Sequence, residues 1–297
     1  MEERTLVDVH GIELFTRWWP VDTPQGIVLI SHGASEHTGR YDRFARALNA
    51  AGLAVAALDH RGHGRTVPAP GPATIGPGGG QALVDGVHAL RQAATERFGT
   101  SSETPQFLFG HSLGSMIALA YLVQHSAGLA GGVLCGFPVD PIETEAMVNL
   151  LRDVVSAGMR DEPMADLAPN VGPDGGPPRT RFDWLSRDAD EVDRYVDDPL
   201  CGDGNPLTYG YVLDLAEVVA EAAGRLGSIE CPVLVIAGDQ DPAGANGDHP
   251  RKLVGALREA GRRVDATIYE GARHELLNET NRDEVTADVI EWFMRRR

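Results

Sequence analysis

Ser112 sits at the centre of Gly110-His111-Ser112-Leu113-Gly114, between the apolar run 107–109 and a second apolar stretch starting at Met116. A serine hydroxyl is a poor nucleophile until a base takes its proton, so it must project where a base can reach it. A strand turning sharply into a helix does this. The turn holds the serine in strained backbone angles and crowds the positions two before and two after it, here Gly110 and Gly114. Asp239, Asp241 and His274 follow later in the chain, each just behind an apolar run. Serine, acid and histidine together suit nucleophilic catalysis: the imidazole takes the serine proton, and the carboxylate orients the imidazole and stabilises its charged form. Chain order leaves both aspartates open as the acid.

For these groups to meet, their flanking elements must bring them to one place. Residues 5–9 and 13–19 are β-rich around His10-Gly11 and predict an opening antiparallel hairpin that Pro20 ends. Residues 27–31 form a short continuous apolar run, as in a strand buried on both faces, and deliver the chain to His32-Gly33-Ala34. Helical spacing predicts helices over 41–51, 81–98, 113–124, 212–226, 250–260 and 283–294. Apolar runs predict further strands over 53–58, 106–110, 129–135, 233–237 and 264–269. This alternation specifies an α/β architecture, a mostly parallel eight-stranded sheet with helices on both faces. In such a sheet the strand C-termini share one edge, so Ser112, the acid and His274 can converge there.

Between residues 137 and about 209 the alternation stops. Residues 142–159 place Met147, Leu150, Leu151, Val154, Val155 and Met159 on one helical stripe, followed by irregular APNVGPDGGPP and acidic SRDADEVDRYVDD. The expected organisation is a core of 1–137 and 210–297 carrying an inserted cap, 138–209. The stripe serves either as a packing face or as a wall for substrate, with Met147, Leu151, Val154 and Val155 as candidate binding residues. The Pro/Gly-rich stretch after Asp59, up to Gly80, reads as a loop on the active-site side; it matches neither phosphate-loop nor dinucleotide-binding spacing.

The 297 residues, 42% hydrophobic, suffice for a full core plus an insertion. A formal charge of −17 without a basic cluster argues against nucleic acid and anionic lipid surfaces as partners. No apolar run approaches the length of a membrane span, and the N-terminus lacks a signal-peptide pattern, so a soluble cytoplasmic protein without stable membrane insertion is expected. Cys135, Cys201 and Cys231 are odd in number and widely spaced, which predicts neither disulfides nor a zinc site. His274-Glu-Leu-Leu-Asn278 stops one ligand short of a zinc-protease helix. No metal or cofactor is expected, and the oligomeric state stays open.

Taken together, HGASEHTGRY from His32, DHRGHGRT from Asp59, GHSLGS from Gly110, SRD..EV..Y..DPL from Ser186, GDQDP from Gly238 and EGARHELLNE from Glu270 make the chain resemble an α/β-hydrolase of the monoacylglycerol lipase and lysophospholipase-like group. The resemblance spans most of the chain but not the middle of the cap. It implies Ser112 as nucleophile, His274 as general base and the second aspartate, Asp241, as the acid, leaving Asp239 to stabilise the turn. The backbone amides of Ala34 and Leu113 are the expected oxyanion donors. Glu36, His37, Arg40 and Tyr41 are expected to brace the loop, as are His60, Arg61 and His63; His249 is set aside. The implied activity is a serine carboxylic ester hydrolase acting through an acyl-enzyme on a small-molecule ester such as a monoacylglycerol or lysophospholipid. One alternative is an aminopeptidase or amidase resembling the proline iminopeptidases, with acidic residues 188–198 holding an amine. The other is a non-catalytic ligand-binding member of the fold, which the full set of three residues disfavours.

Overall fold

In the computed structural model, which describes residues 1–66, 73–99, 104–164 and 176–296, the uninterrupted apolar runs become the interior of a sheet. The elements are β1 (Glu2–Val7), β2 (Glu13–Trp19), β3 (Gly26–Ser31), α1 (Asp42–Ala50), β4 (Leu53–Leu58), α2 (Gln81–Phe98), β5 (Gln106–His111), α3 (Leu113–His125), β6 (Gly131–Cys135), α4 (Thr144–Val154), α5 (Ala189–Asp197), α6 (Tyr209–Ala223), β7 (Val233–Gly238), α7 (Asp248–Glu259), β8 (Val264–Tyr269) and α8 (Arg282–Met294). The strands form one eight-stranded sheet in the order β1-β2-β4-β3-β5-β6-β7-β8. Contacts of β2 with β1 and β4 are antiparallel; all others are parallel. This is the α/β-hydrolase fold.

Every residue of β3, β4, β6 and β7 is buried. Side chains alternate between faces: Ile27 and Leu29 join the layer containing α2, α3 and α6, whereas Val28 and Ile30 join the layer containing α1 and α8. Helix α3 is apolar on all sides and buried from Leu113 to Val123, as expected of a helix enclosed by neighbours.

The first strand lies earlier than the expected 5–9, because Asp8 leaves the ladder to accept the N–H groups of His10 and Ile12 at 2.9 and 3.0 Å. Helix α6 starts at Tyr209 rather than 212, where Thr208 caps it by accepting the N–H of Tyr211. The expected helix over 142–159 is corrected too. It ends as α4 at Val154, then passes through a π turn, Val155–Met159, in which Gly158 adopts φ +92°. Between β6 and α6 the described residues lie outside the sheet, and α4 packs against α6. Residues 165–175 of the expected cap and 67–72 of the expected active-site loop fall outside the described residues. Among the described residues no helix is long and apolar enough to cross a membrane. All three cysteines are buried and unpaired with one another.

Candidate active site

Ser112 connects β5 to α3 at φ 51° and ψ −119°, angles that only glycine adopts without strain. Its two glycines answer a measurable crowding. A Cβ on Gly110 would lie 2.3 Å from the carbonyl oxygen of Gly114, and one on Gly114 would lie 2.1 Å from that of Ser31. The N–H of Ser112 donates to the carbonyl of Cys135 at 2.9 Å, fixing the elbow to β6.

His274 follows β8 and reaches Ser112, with Nε2 2.8 Å from Oγ. Its Nδ1 lies 2.8 Å from Oδ2 of Asp241, which follows β7 and is fully buried. A carboxylate only accepts, so Nδ1 carries the proton and Nε2 is free to accept from the serine. Asp239 faces elsewhere: its Oδ1 accepts the N–H of Gly271 at 2.8 Å and holds the turn after β8. His249 lies apart from the pair, its Nδ1 donating to the carbonyl of Pro138 at 2.9 Å.

Burial works against a charged His274, but Asp241 first and then Glu275 and Glu36 outweigh it, so its pKa lies above the ordinary imidazole value. His111 moves the other way. Burial, reinforced by His274, pushes its pKa down to about 4, so it stays neutral beside His274 at neutral pH.

The loop after β3 closes on the elbow. A Cβ on Gly33 would stand 2.7 Å from Oε1 of Glu36 and 3.3 Å from Cβ of Ser112, so a side chain there would displace the Glu36 carboxylate and crowd the elbow. Ser35, two residues on, sits at φ 51°. The amide of Leu113 opens α3, where first-turn N–H groups lack partners within the helix and favour negative charge. Glu36 holds this loop: Oε1 accepts the N–H of Gly33 at 2.5 Å and the Tyr41 hydroxyl at 2.7 Å, while Oε2 accepts from Arg40 at 2.8 Å. Burial raises the Glu36 pKa, yet Arg40 and its other neighbours hold it down at about 2.

His60, Arg61 and His63 lie in the interior beneath the site. His60 Nε2 meets Ser31 Oγ at 2.8 Å, and Arg61 Nε donates to Asp8 at 2.9 Å. Burial keeps His60 and His63 neutral, with the pKa of His63 at about 3.

The stripe on α4 is shifted from its expected arc. Leu151 and Val148 are buried in the same apolar cluster as Leu113 and Met116, with Met147 and Val155 packed against it. Val154 is half-buried, whereas Leu150 and Met159 face out, at 66% and 40% exposure.

One group among the described residues has metal-ligand composition: donor atoms of His37, Asp198 and Cys201 lie within 4.8 Å of one another. Its proton arrangement suits a hydrogen bond instead. Nδ1 of His37 accepts the N–H of Gly39 at 3.1 Å, which puts the ring proton on Nε2, donated to Asp198 at 2.9 Å. A metal at Nε2 would force a proton onto Nδ1, against the Gly39 donor.

Sequence reasoning passed over Glu275, Glu279 and Trp184. Glu275 accepts both Nη atoms of Arg40, buried Glu279 accepts from Arg187 and Arg273, and Trp184 meets the His274 ring. Glu275 and Glu279 lie inside a matched motif, but partners up to 235 positions away leave no local pattern.

A family model described as serine aminopeptidase, S33, matches residues 22–281. The chain is 30% identical to a monoacylglycerol lipase of Mycolicibacterium smegmatis, over 98% of this chain and 96% of that protein. Human monoglyceride lipase is 31% identical over 96% of this chain and 86% of its own length. A thermostable carboxyl esterase from Bacillus coagulans, solved in complex with glycerol, superposes with a TM-score of 0.86 at 30% identity, covering 99% of this chain and 98% of the other.

Proposed function

The chain belongs to the serine aminopeptidase S33 family of α/β-hydrolases, and from its similarity over nearly its whole length to two monoacylglycerol lipases and a carboxyl esterase we propose that it hydrolyses a carboxylic ester of a single acyl chain, such as a monoacylglycerol or lysophospholipid. The observation that carries this reading is the chain of 2.8 Å contacts from Ser112 through His274 to Asp241, built on a strained elbow. Ser112 Oγ attacks the ester carbonyl as Nε2 of His274 takes its proton. The oxyanion is received by the amides of Ala34 and Leu113. The imidazolium then protonates the departing alcohol, leaving an acyl-enzyme. Water, deprotonated by the same nitrogen, releases the acid and restores Ser112.

We further infer that residues 138–209 act as a cap, with Met147, Val154 and Val155 contributing apolar wall to an acyl tail and the expected fourth wall residue, Leu151, packing into the core beside them. The support is that Met147 and Val155 pack against the cluster that holds Leu151, Met116 and Leu113, the last of which adjoins Ser112. A cytoplasmic location belongs to the same proposal and rests on the sequence reading alone.

The amidase alternative draws on an acidic run in which Asp188, Glu191, Asp193 and Asp198 are paired within the protein and Asp190 and Asp197 are exposed. Asp188 pairs with Arg282 at 2.6 Å, Glu191 with Arg43 at 2.7 Å and Asp198 with His37 at 2.9 Å, so these carboxylates already hold cations or donors of the protein itself. The decisive experiment assays p-nitrophenyl esters, a monoacylglycerol and a lysophospholipid beside aminoacyl nitroanilides, with fluorophosphonate labelling mapped by mass spectrometry. Ester turnover with the label on Ser112 is expected; turnover confined to nitroanilides, or no label on Ser112, overturns the reading.

A further inference from the structure

Trp184 lies in the short 3-10 turn Asp183–Leu185, in the chain between β6 and α6. Its indole meets the His274 imidazole with 4.9 Å between ring centroids and a 45° tilt. This contact is set in register from both sides. Arg273 Nη1 donates to the carbonyl of Asp183, and the N–H of Glu275 donates to the carbonyl of Leu185 at 2.8 Å. The two neighbours of Trp184 are thus tied to the two neighbours of His274. Beyond them Ser186 Oγ donates to the carbonyl of Asn278 at 2.9 Å, and the Arg187 N–H and Nε donate to buried Glu279 at 3.1 and 2.9 Å. Glu279 also accepts the N–H of Arg273 at 2.8 Å, so one carboxylate joins both segments.

The arrangement matters because one hydrogen bond does not fix an imidazole. Asp241 holds Nδ1, but rotation about the histidine χ2 lies in a broad well, and a modest swing takes Nε2 away from Ser112 Oγ. His111 touches the ring from the elbow, at 4.9 Å and 51°. Trp184 supplies the second ring contact, which restrains that swing by packing against the imidazole.

We propose that Trp184 is a positioning residue for His274: the segment outside the sheet is pinned alongside the histidine loop so that its indole keeps Nε2 aimed at Ser112. This rests on His274 acting as the base. It makes this part of the cap a fixed component of proton transfer, separate from the α4 region proposed to face the acyl tail.

The test compares wild type with Trp184→Leu and Trp184→Phe. The readouts are kcat and KM on a butyryl glycerol ester, the rate of Ser112 labelling by a fluorophosphonate, and melting temperature. The Leu variant should lose about tenfold in both kcat and labelling rate, with KM within about twofold. The Phe variant, which restores an aromatic face, should recover most of that loss at the same melting temperature. Equal losses in Leu and Phe, a Leu variant labelling at the wild-type rate, or a defect confined to KM would each overturn the assignment. If Trp184→Leu does not fold, Trp184→Met beside Trp184→Phe makes the same comparison. A wild type that is neither labelled on Ser112 nor active on esters overturns the esterase reading itself, whereas a labelled wild type with an unaffected Leu variant overturns only the role of Trp184.

Discussion

Arg40 grips Glu275, the residue beside His274, with both ends of its guanidinium, Nη1 to Oε1 at 2.5 Å and Nη2 to Oε2 at 2.7 Å. The same Nη1 donates to Glu36, which holds the N–H of Gly33 in the loop against Ser112. One largely enclosed cation therefore joins the loop proposed to receive the oxyanion to the loop carrying His274, the proposed base.

Removing that cation should be costly, because two carboxylates would remain buried without their shared partner. Arg40→Met is expected to destabilise the fold by about 3–5 kcal/mol, read from urea unfolding, and to lower kcat even where the protein stays folded. Arg40→Lys should recover only part, since an ammonium cannot make the two-pronged contact. Full activity and stability in Arg40→Met would refute the bridging role.

The pH dependence follows from His274, whose pKa is raised over an ordinary imidazole, burial opposing the shift and Asp241, Glu275 and Glu36 driving it. The base must be neutral to act, so kcat/KM should climb with pH along a limb centred above about 6.5. The stability contribution has the opposite sign: it is fully present below the unfolded value and fades as pH rises through the folded one. Replacing Glu275 by Gln removes one of the charges favouring imidazolium and should move the limb to lower pH. An unmoved or upward-shifted profile would count against this electrostatic account.

The elbow makes a prediction about stability alone. At φ 51° and ψ −119° a Cβ is strained, so Ser112→Gly should be more stable than Ser112→Ala by about 1 kcal/mol, despite glycine's greater freedom in the unfolded chain. Both variants should lack turnover and labelling. Denaturant midpoints of the two folded proteins decide the ranking.

The aspartates should separate kinetically. Asp241→Asn replaces the acceptor at Nδ1 with an amide that cannot offset the imidazolium and can favour the wrong tautomer, and kcat should fall by about three to four orders of magnitude. Asp239→Asn keeps an oxygen for the Gly271 N–H and should cost under about tenfold. The reverse order in steady-state rates would mean that Asp239 is the acid.

Two kinds of residue on α4 should respond differently. Leu151 is buried in the core cluster, so Leu151→Ser should lower the melting temperature and reduce activity on all esters together. Met147 and Val154 are half-buried, and their replacement by Ser should leave the melting point near wild type while lowering kcat/KM for octanoyl relative to acetyl esters by about tenfold. Parallel losses across acetyl, butyryl and octanoyl esters would assign all three to packing.

What the sequence determined by itself was local or periodic. Unbroken apolar runs such as Leu53–Leu58 specified strands buried on both faces, the alternation of strand and helix specified a mostly parallel sheet, and Gly110 and Gly114 marked the turn at Ser112. These features depend on residues a few positions apart, where backbone sterics and helix or strand period act directly. Chain order placed Ser112, two aspartates and His274 at one sheet edge but could not divide the work between Asp239 and Asp241, which share the same turn. Tertiary structure made that division by directing one carboxylate to His274 and the other to Gly271. It alone decided the pairing of Arg40 with Glu275, of Arg187 with Glu279 and of Trp184 with His274, and which residues of α4 turn inward. Such contacts join segments tens to hundreds of residues apart, and only the closed fold brings their atoms within reach of a hydrogen bond or a ring contact.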